Sequence, residues 1–336
     1  MKLELLPYEL ELKHTFRISR EAHDFQPSLI VRLGQDGLFG LGETTGNPYY
    51  HTTVESISKQ IEERRTDVEQ YEFTTPKDFY SKLMDWFPQH AFVRCALDMA
   101  GHDLYGKLKN QPLYKLWGLS LDHTPLSNFT IGLDTIPKMI EKINEQPWPI
   151  YKIKLGTDND IAIVEALREV SSSVFRIDAN CAWTASETIE NSSTLSDLGV
   201  EFIEQPLPAE QLAEMAEVKQ HSALPLMADE SCQKENDVAK CNGRFHGVNI
   251  KLTKCGGITP ALRMINTATQ LGLQKMVGCM TESSVGISAI AHLLPLLDYV
   301  DMDGAILLKK DIASGVTLDY GKAIFPHKPG SGAELL

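Results

Sequence analysis

The sequence predicts an α/β protein: a TIM-type barrel of the (β/α)7β kind, preceded by an N-terminal α+β domain. Three observations carry this reading. Eight apolar, strand-like runs follow Asn128, separated by segments of helical composition. Five of those runs close on a charge at near-even spacing: Lys154, Asp178, Glu204, Asp229 and Lys251 stand 24, 26, 25 and 22 residues apart. Residues 1–110, in contrast, place their strands first and their helices afterwards. A charge at the end of a buried strand is costly. Five at one period mark a βα repeat that brings all of them to the same face of a barrel.

Residues 1–45 read as a three-stranded meander, LELLPYELELKH, SLIVRL and LFGLGET, with GQDG as the tight turn between the last two. Residues 51–110 read as helices. Phe92, Cys95, Ala96, Met99, Leu104 and Leu108 form one helical stripe. Strands followed by segregated helices make an α+β unit. The eight barrel strands are FTIGL, YKIKLG, VFRIDAN, EFIEQP, LPLMADE, GVNIKL, QKMVGCM and DYVDMDG. The segments between them include DIAIVEALREVSS, SETIENSSTLSDLG and TPALRMINTATQLG. The last unit breaks the pattern, because AILLKKDIASGVTLDYGK does not form one clean amphipathic helix. Hence eight strands and seven regular helices are expected. The expected domains are residues 1–120, joined by part of the tail at about 315–336, and the barrel at 121–314.

Composition narrows the function. A net charge of −13 with no Lys/Arg block argues against nucleic acid or an anionic membrane as partner. No apolar run approaches the ~20 residues that cross a bilayer. The first residues, MKLELLPYELELKH, lack the apolar core of a signal peptide. Six cysteines without a C-x-x-C pair point to reduced thiols and a cytoplasmic protein. Cys279, at the end of strand 7, reads as a pocket wall, since no histidine nearby in sequence could activate it as a nucleophile.

Barrel active sites form at the C-terminal ends of the strands. Numbering FTIGL as strand 1 puts Lys152 and Lys154 on strand 2, Asp178 on 3, Glu204 on 4, Asp229 on 5, Lys251 on 6, and Asp301 and Asp303 at the end of 8. Three carboxylates on adjacent strands repel one another without a cation. Oxygen donors suit Mg²⁺, one ion per subunit, and no histidine pair has zinc spacing. Glu230 could replace Asp229, and Asn180 is a plausible supporting partner. Strands 2 and 6 lie opposite each other in the ring, so Lys154 and Lys251 face across the mouth. Lys152 shares a face with Lys154. A metal and neighbouring cations are expected to lower a lysine toward the range of a general base. One lysine would take an α-proton from one face of a carbon and the other return a proton to the opposite face, which inverts the centre. Asp301 and Asp303, expected far from the metal, suit a substrate ammonium. A zwitterionic dipeptide meets both ends.

These residues resemble the enolase superfamily, and within it the muconate-lactonizing subgroup. The segments KIK, DAN, EQP, ADES, NIKLTKCGG and GCMTESS occur in order at barrel spacing. The meander and FVRCALDMAGHDLYGKLKNQPLYKLWG look like the family's capping domain. The resemblance implies Asp178, Glu204 and Asp229 as metal ligands and Lys154 and Lys251 as the acid/base pair. It implies that Lys152 holds the substrate carboxylate or its enolate. Asp301 and Asp303 match the D-x-D of the subgroup's dipeptide epimerases, where it binds the α-ammonium. That lysine chemistry with Mg²⁺ is the known pattern of the superfamily. In the family a cap loop near residue 20 covers the substrate side chain. Here it reads RISREAHDFQPS. Arg17 and Arg20 would meet an acidic side chain, Glu21 and Asp24 would oppose one, and Phe25 would line an apolar pocket. The balance favours broad or hydrophobic dipeptides, with L-Ala-L-Glu as a further candidate. The expected partner is a small dipeptide, and the expected assembly is a homo-oligomer. Competing readings are N-acylamino-acid racemisation, o-succinylbenzoate synthesis, and a catalytically silent ligand-binding barrel.

Overall fold

Asp36 and Gly37 turn the chain between the second and third strands, both at positive φ (52° and 77°), as a two-residue hairpin turn requires. They close an antiparallel sheet of β1 (Lys2–Arg17), β2 (Ala22–Gln35) and β3 (Leu38–Thr45), paired in that order. This is the predicted meander. The computed structural model describes residues 1–18 and 22–336. The β1–β2 register breaks between Glu11 and Phe16, where the first strand carries extra residues.

Four helices follow: α1 (Val54–Glu63), α2 (Arg65–Gln70), α3 (Pro76–Trp86) and α4 (Ala91–Leu108). Thr53 and Thr75 start α1 and α3, each hydroxyl accepting an amide of the first turn. The sequence suggests one apolar stripe on α4, yet the helix is buried on nearly every face. Its apolar residues pack on the sheet and on Phe79. Its polar residues are buried because each finds a partner. Asp103 accepts from the Leu41 and Ser331 amides, and Asp98 accepts from Thr259 in the barrel.

Two glycines let α4 lie this close to β3. A Cβ at Gly42 would sit 1.9 Å from the Ala96 carbonyl oxygen, and one at Gly40 would sit 2.1 Å from that of Ala100. Both contacts are with backbone, which cannot rotate away. Gly42→Ala is therefore expected to destabilise the fold by about 1–3 kcal/mol or more, the range for overpacking. Urea unfolding measures it, and an unchanged midpoint would show that the helix can move off the sheet.

A short helix, α5 (Leu113–Leu116), leads into the barrel. Strands and crossovers then alternate: β4 (Phe129–Ile131), α6 (Ile136–Glu145), β5 (Ile150–Lys154), α7 (Asp160–Val170), β6 (Val174–Asp178), α8 (Ala185–Asp197), β7 (Val200–Glu204), α9 (Leu212–His221) and β8 (Leu226–Ala228). They continue with α10 (Glu235–Cys241), β9 (Gly247–Lys251), α11 (Leu252–Cys255), α12 (Ile258–Gln270), β10 (Gln274–Gly278), α13 (Ser284–Ala291) and β11 (Tyr299–Asp301). The eight strands are parallel and pair in chain order from β4 to β11. A bridge between Ser127 and Val300 joins the first edge to the last.

Helices α11 and α12 share one crossover, so eight strands are linked by seven, as predicted. After β11 the chain makes a 3₁₀ turn, Gly304–Leu307, in place of an eighth helix. The tail forms β12 (Ala313–Ser314), paired with β15 (Glu334–Leu335), and β13 (Thr317–Asp319), paired with β14 (Lys322–Ile324). Ala313 and Ala333 pack with Ile30 and Leu41 of the N-terminal sheet and Val285 of α13. The main core fills the space between barrel strands and outer helices. No helix among the described residues is long and apolar enough to cross a membrane.

Candidate active site

Period-2 alternation and strand register together assemble the site. Lys154 pairs in register with Asp178, and Asp178 with Glu204. On the far side, Gly278 pairs with both Lys251 and Asp301. Residues in register stand at one height, so these charges form a ring at the ends of the strands. Asp229 follows β8 directly and completes it.

Asp178, Glu204 and Asp229 each offer an oxygen within 4.8 Å of the others, and all three are buried. Glu230 lines the pocket beside them but is not part of this trio. Burial pushes Asp178 up, but Lys154 and Lys152 outweigh it and hold the carboxyl well below its usual range. Burial likewise opposes Lys251 and Lys254 at Asp229, where the lysines prevail. At Glu204 burial prevails over Lys152 and raises the carboxyl to about 7. Glu204 Oε2 lies 2.9 Å from Lys152 Nζ but has no aligned hydrogen-bond donor. Three buried carboxylates, one of them short of a donor, fit a hard divalent cation. Among the described residues, none of the trio is a sulfur or nitrogen donor.

Lys154 and Lys251 stand at opposite ends of the trio. Lys154 Nζ is 2.6 Å from Asp178 Oδ2, and Lys251 Nζ is 2.9 Å from Asp229 Oδ2. They come from β5 and β9, four strands apart, and both line one cavity of about 100 Å³. Burial pulls the Lys251 ammonium down, but Asp229 more than offsets this and holds it above the ordinary lysine range. The carboxylate partner at contact distance outweighs the more distant cations.

Lys152 points the same way as Lys154, as predicted, but its surroundings differ from expectation. Its Nζ lies 3.1 Å from Asp178 Oδ2, 2.9 Å from Glu204 Oε2 and 2.8 Å from Asp301 Oδ2. Asp301 is therefore not remote from the trio: one ammonium joins them across the barrel centre. An eight-stranded barrel is narrow enough for side chains from opposite walls to meet. Asp301 Oδ1 also accepts from Asn128 Nδ2 at 2.8 Å, and Asp303 Oδ2 accepts from the Thr130 amide at 2.6 Å. The two aspartates split. Burial raises both, but Lys152 pulls Asp301 below its usual range, whereas Asp303, next to that charge, is pushed up to about 8.

Cys279 lines the pocket next to this pair. Burial, reinforced by Asp301, raises its thiol well above the ordinary range, which makes it a poor nucleophile.

The cap supplies the opposite wall through Phe16, Ile18, His23, Gln26, Asn47 and Tyr50. Here three sequence expectations change. Phe25 is 49% exposed and lies outside this pocket. It belongs to a strand, and since Gln26 is buried against the pocket, the residue before it must face outward. Arg17 is exposed and Asp24 accepts from the Thr15 hydroxyl, so neither lines the cavity. Arg20 and Glu21 lie outside the described residues.

Three buried residues hold the acids in place without having been singled out from sequence. Asn249 Nδ2 donates to Glu204 Oε1 at 2.8 Å. It fits because Gly278 leaves the space a Cβ would take, 2.7 Å from the Asn249 amide oxygen. Its position two residues before Lys251 on one strand face was the available signal. Gln205 accepts from the Asp229 and Ser231 amides. Lys254 donates to Asp229.

Residues 137–336 match the family described as enolase C-terminal domain-like, and residues 6–118 match the mandelate racemase / muconate lactonizing enzyme N-terminal domain. A protein named L-Ala-D/L-amino acid epimerase from Maribacter sp. (strain HTCC2170) is 58% identical over 336 residues, covering 100% of this chain and 99% of its own. The substrate-liganded L-Ala-D/L-Glu epimerase from Bacillus subtilis superposes with a TM-score of 0.94 at 27% identity, over 99% of this chain and 98% of that one. The dipeptide epimerase from Cytophaga hutchinsonii, complexed with Mg and D-Ala-L-Val, also gives 0.94, at 25% identity over 99% and 95% of the two chains.

Proposed function

The chain belongs to the mandelate racemase and muconate lactonizing enzyme family, with its enolase-like C-terminal domain, and on that premise we propose that it is a Mg²⁺-dependent dipeptide epimerase. It inverts the α-carbon of the C-terminal residue. The observation that carries this reading is the placement of Lys154 and Lys251, four strands apart on one cavity, each beside an outer member of the acid trio.

Asp178, Glu204 and Asp229 would hold the ion. When bound, it supplies positive charge to a substrate carboxylate as the neighbouring carbon loses its proton. One lysine, neutral at that moment, takes the α-proton onto its nitrogen, and the C–H electron pair passes into the carboxylate as an enolate. The opposite ammonium returns a proton to the other face. Lys152 adds a third cation at the carboxylate end. Asp301 and Asp303 accept the α-ammonium of the N-terminal residue. An N-acylated amino acid has no such cation, which disfavours that alternative.

For side-chain preference we propose broad or hydrophobic dipeptides. Phe16 and Ile18 are the apolar members of the cap wall, while Arg17 lies outside it. The Maribacter relative's name, which specifies no second residue, supports the same breadth. The cytoplasmic setting and homo-oligomeric state expected from the sequence belong to this proposal; all six cysteines are free, in keeping with a reducing compartment.

Incubating the protein with Mg²⁺ and a panel of L-Ala-L-Xaa dipeptides in D₂O tests the proposal. Epimerisation is expected to carry deuterium into the α-position of the C-terminal residue, read as a mass gain of one unit. Deuterium entering none of the dipeptides, L-Ala-L-Glu included, would refute it.

A further inference from the structure

We propose that Lys254 is a positioning residue for this site: it clamps one oxygen of Asp229 so that the other faces the pocket. The inference rests on the Mg²⁺ site proposed above. Lys254 has no exposed side-chain surface, and its Nζ donates to three acceptors. These are the Asp229 backbone oxygen at 2.6 Å, the Asn249 backbone oxygen at 3.2 Å, and Asp229 Oδ1. An ammonium has three N–H bonds, so Lys254 is fully committed and lies outside the pocket lining.

Lys251 differs on each point. It lines the cavity, and it contacts the other oxygen, Asp229 Oδ2. The two lysines therefore divide one carboxylate. Two backbone carbonyls hold Lys254 in place, so Oδ1 is tied back and Oδ2 is the oxygen shared by the cation site and Lys251. The clamp sets the rotamer of a metal ligand and, through it, the position of one base.

The local chain explains why Lys254 points backward. After Lys251 the chain turns into the single-turn helix α11, and the Gly256 and Gly257 amides both donate to the Leu252 carbonyl, at 2.9 and 2.8 Å. Both glycines have positive φ (99° and 123°). A Cβ on Gly257 would strike Asp98 of α4 at 2.4 Å. The cap helix thus packs directly on the turn that aims Lys254.

A clamp and a bystander cation predict opposite results. A lysine that merely sits near the ion repels it, so its removal would tighten Mg²⁺ binding. A clamp preorganises the ligand, so its removal weakens binding. Calorimetric titration of Mg²⁺ into the full-length protein, without dipeptide, is expected to give a Kd about 10-fold or more higher for Lys254→Met, the usual scale for partners that orient a ligand. Lys254→Gln keeps one donor for Oδ1 and should show a smaller rise in the same direction. It also decides the matter if Lys254→Met does not fold by circular dichroism. An unchanged or lower Kd in a folded variant overturns the proposal.

Exchange in D₂O adds a readout that general damage would not give. The stereoisomer whose exchange Lys251→Ala removes should be slowed more by Lys254→Gln than the other isomer. Equal slowing of both overturns the link to Lys251. The absence of exchange in the unaltered protein would sink the epimerase reading, and the clamp would still be judged on Kd.

Discussion

Replacing Lys154 or Lys251 singly with Ala is expected to abolish net epimerisation, with a loss of at least the roughly 10²–10⁴-fold that general acid–base catalysis contributes. The two variants should nevertheless differ in what they retain. Each keeps one lysine on one face of the α-carbon. That lysine can take the α-proton from one stereoisomer and return a deuteron to the same face. Exchange without inversion is therefore expected from one isomer in Lys154→Ala and from the opposite isomer in Lys251→Ala. Incubating each isomer in D₂O, with mass and chiral analysis, reads both quantities. Each lysine also neutralises a buried carboxylate, Asp178 or Asp229. Some loss of stability is expected on that account, as when one partner of a buried pair is removed. Lost stability depresses both isomers alike, so the isomer preference separates chemistry from folding. Full epimerisation in both variants would dismiss the two-base mechanism.

Removing the cation should be as severe. Dialysis against a chelator is expected to reduce exchange to background, with recovery on adding Mg²⁺. Glu204→Gln should cost about 10²–10³-fold in activity, the scale of losing one preorganised electrostatic group. Glu204 also gives Mg²⁺ affinity a pH dependence. Its carboxyl is raised to about 7, by burial first and by Asp178 and Asp229 beyond that, against the pull of Lys152. Below that pH the proton occupies a ligand the cation needs, so Kd should rise as pH falls, approaching tenfold per unit. Above it, affinity should level off. Calorimetry between pH 5.5 and pH 8.5, taken as roughly one and a half units either side, would show the slope. A flat profile would show that Glu204 does not take up a proton in this range.

Much of the architecture was legible in the residues. The step between charges that end strands is a property of the βα unit itself, so Lys154, Asp178, Glu204, Asp229 and Lys251 could be placed on successive strands before any contact was known. Alternation put Lys152 on the face of Lys154. Asp301 and Asp303 were found because they too end a strand. Asn249 obeyed the same rule, two residues before Lys251, and carries no charge to draw attention to it.

The ion pairs were not legible. Lys152 and Asp301 are 149 residues apart, and their 2.8 Å contact depends on the width of the barrel. Sequence spacing places a residue at a height and around a ring. It does not say how far a side chain reaches across. For the same reason the balance at Lys251 is not legible: whether burial, a carboxylate or another lysine prevails is set by distances of a few ångströms. The cap wall is the least legible in the sequence. RISREAHDFQPS looks like a loop, but most of its later residues continue β2. Strand alternation turns Phe25 outward and Gln26 inward, in the register where they pair with Glu11 and Leu10.

What the sequence determined by itself was periodic and local: eight strands, their order, and the charges at their ends. The tertiary structure decided which of those charges touch and which cap residues face them. Periodicity is encoded in neighbours along the chain. Electrostatic pairing falls off with distance through space, and that distance exists only once the ring has closed.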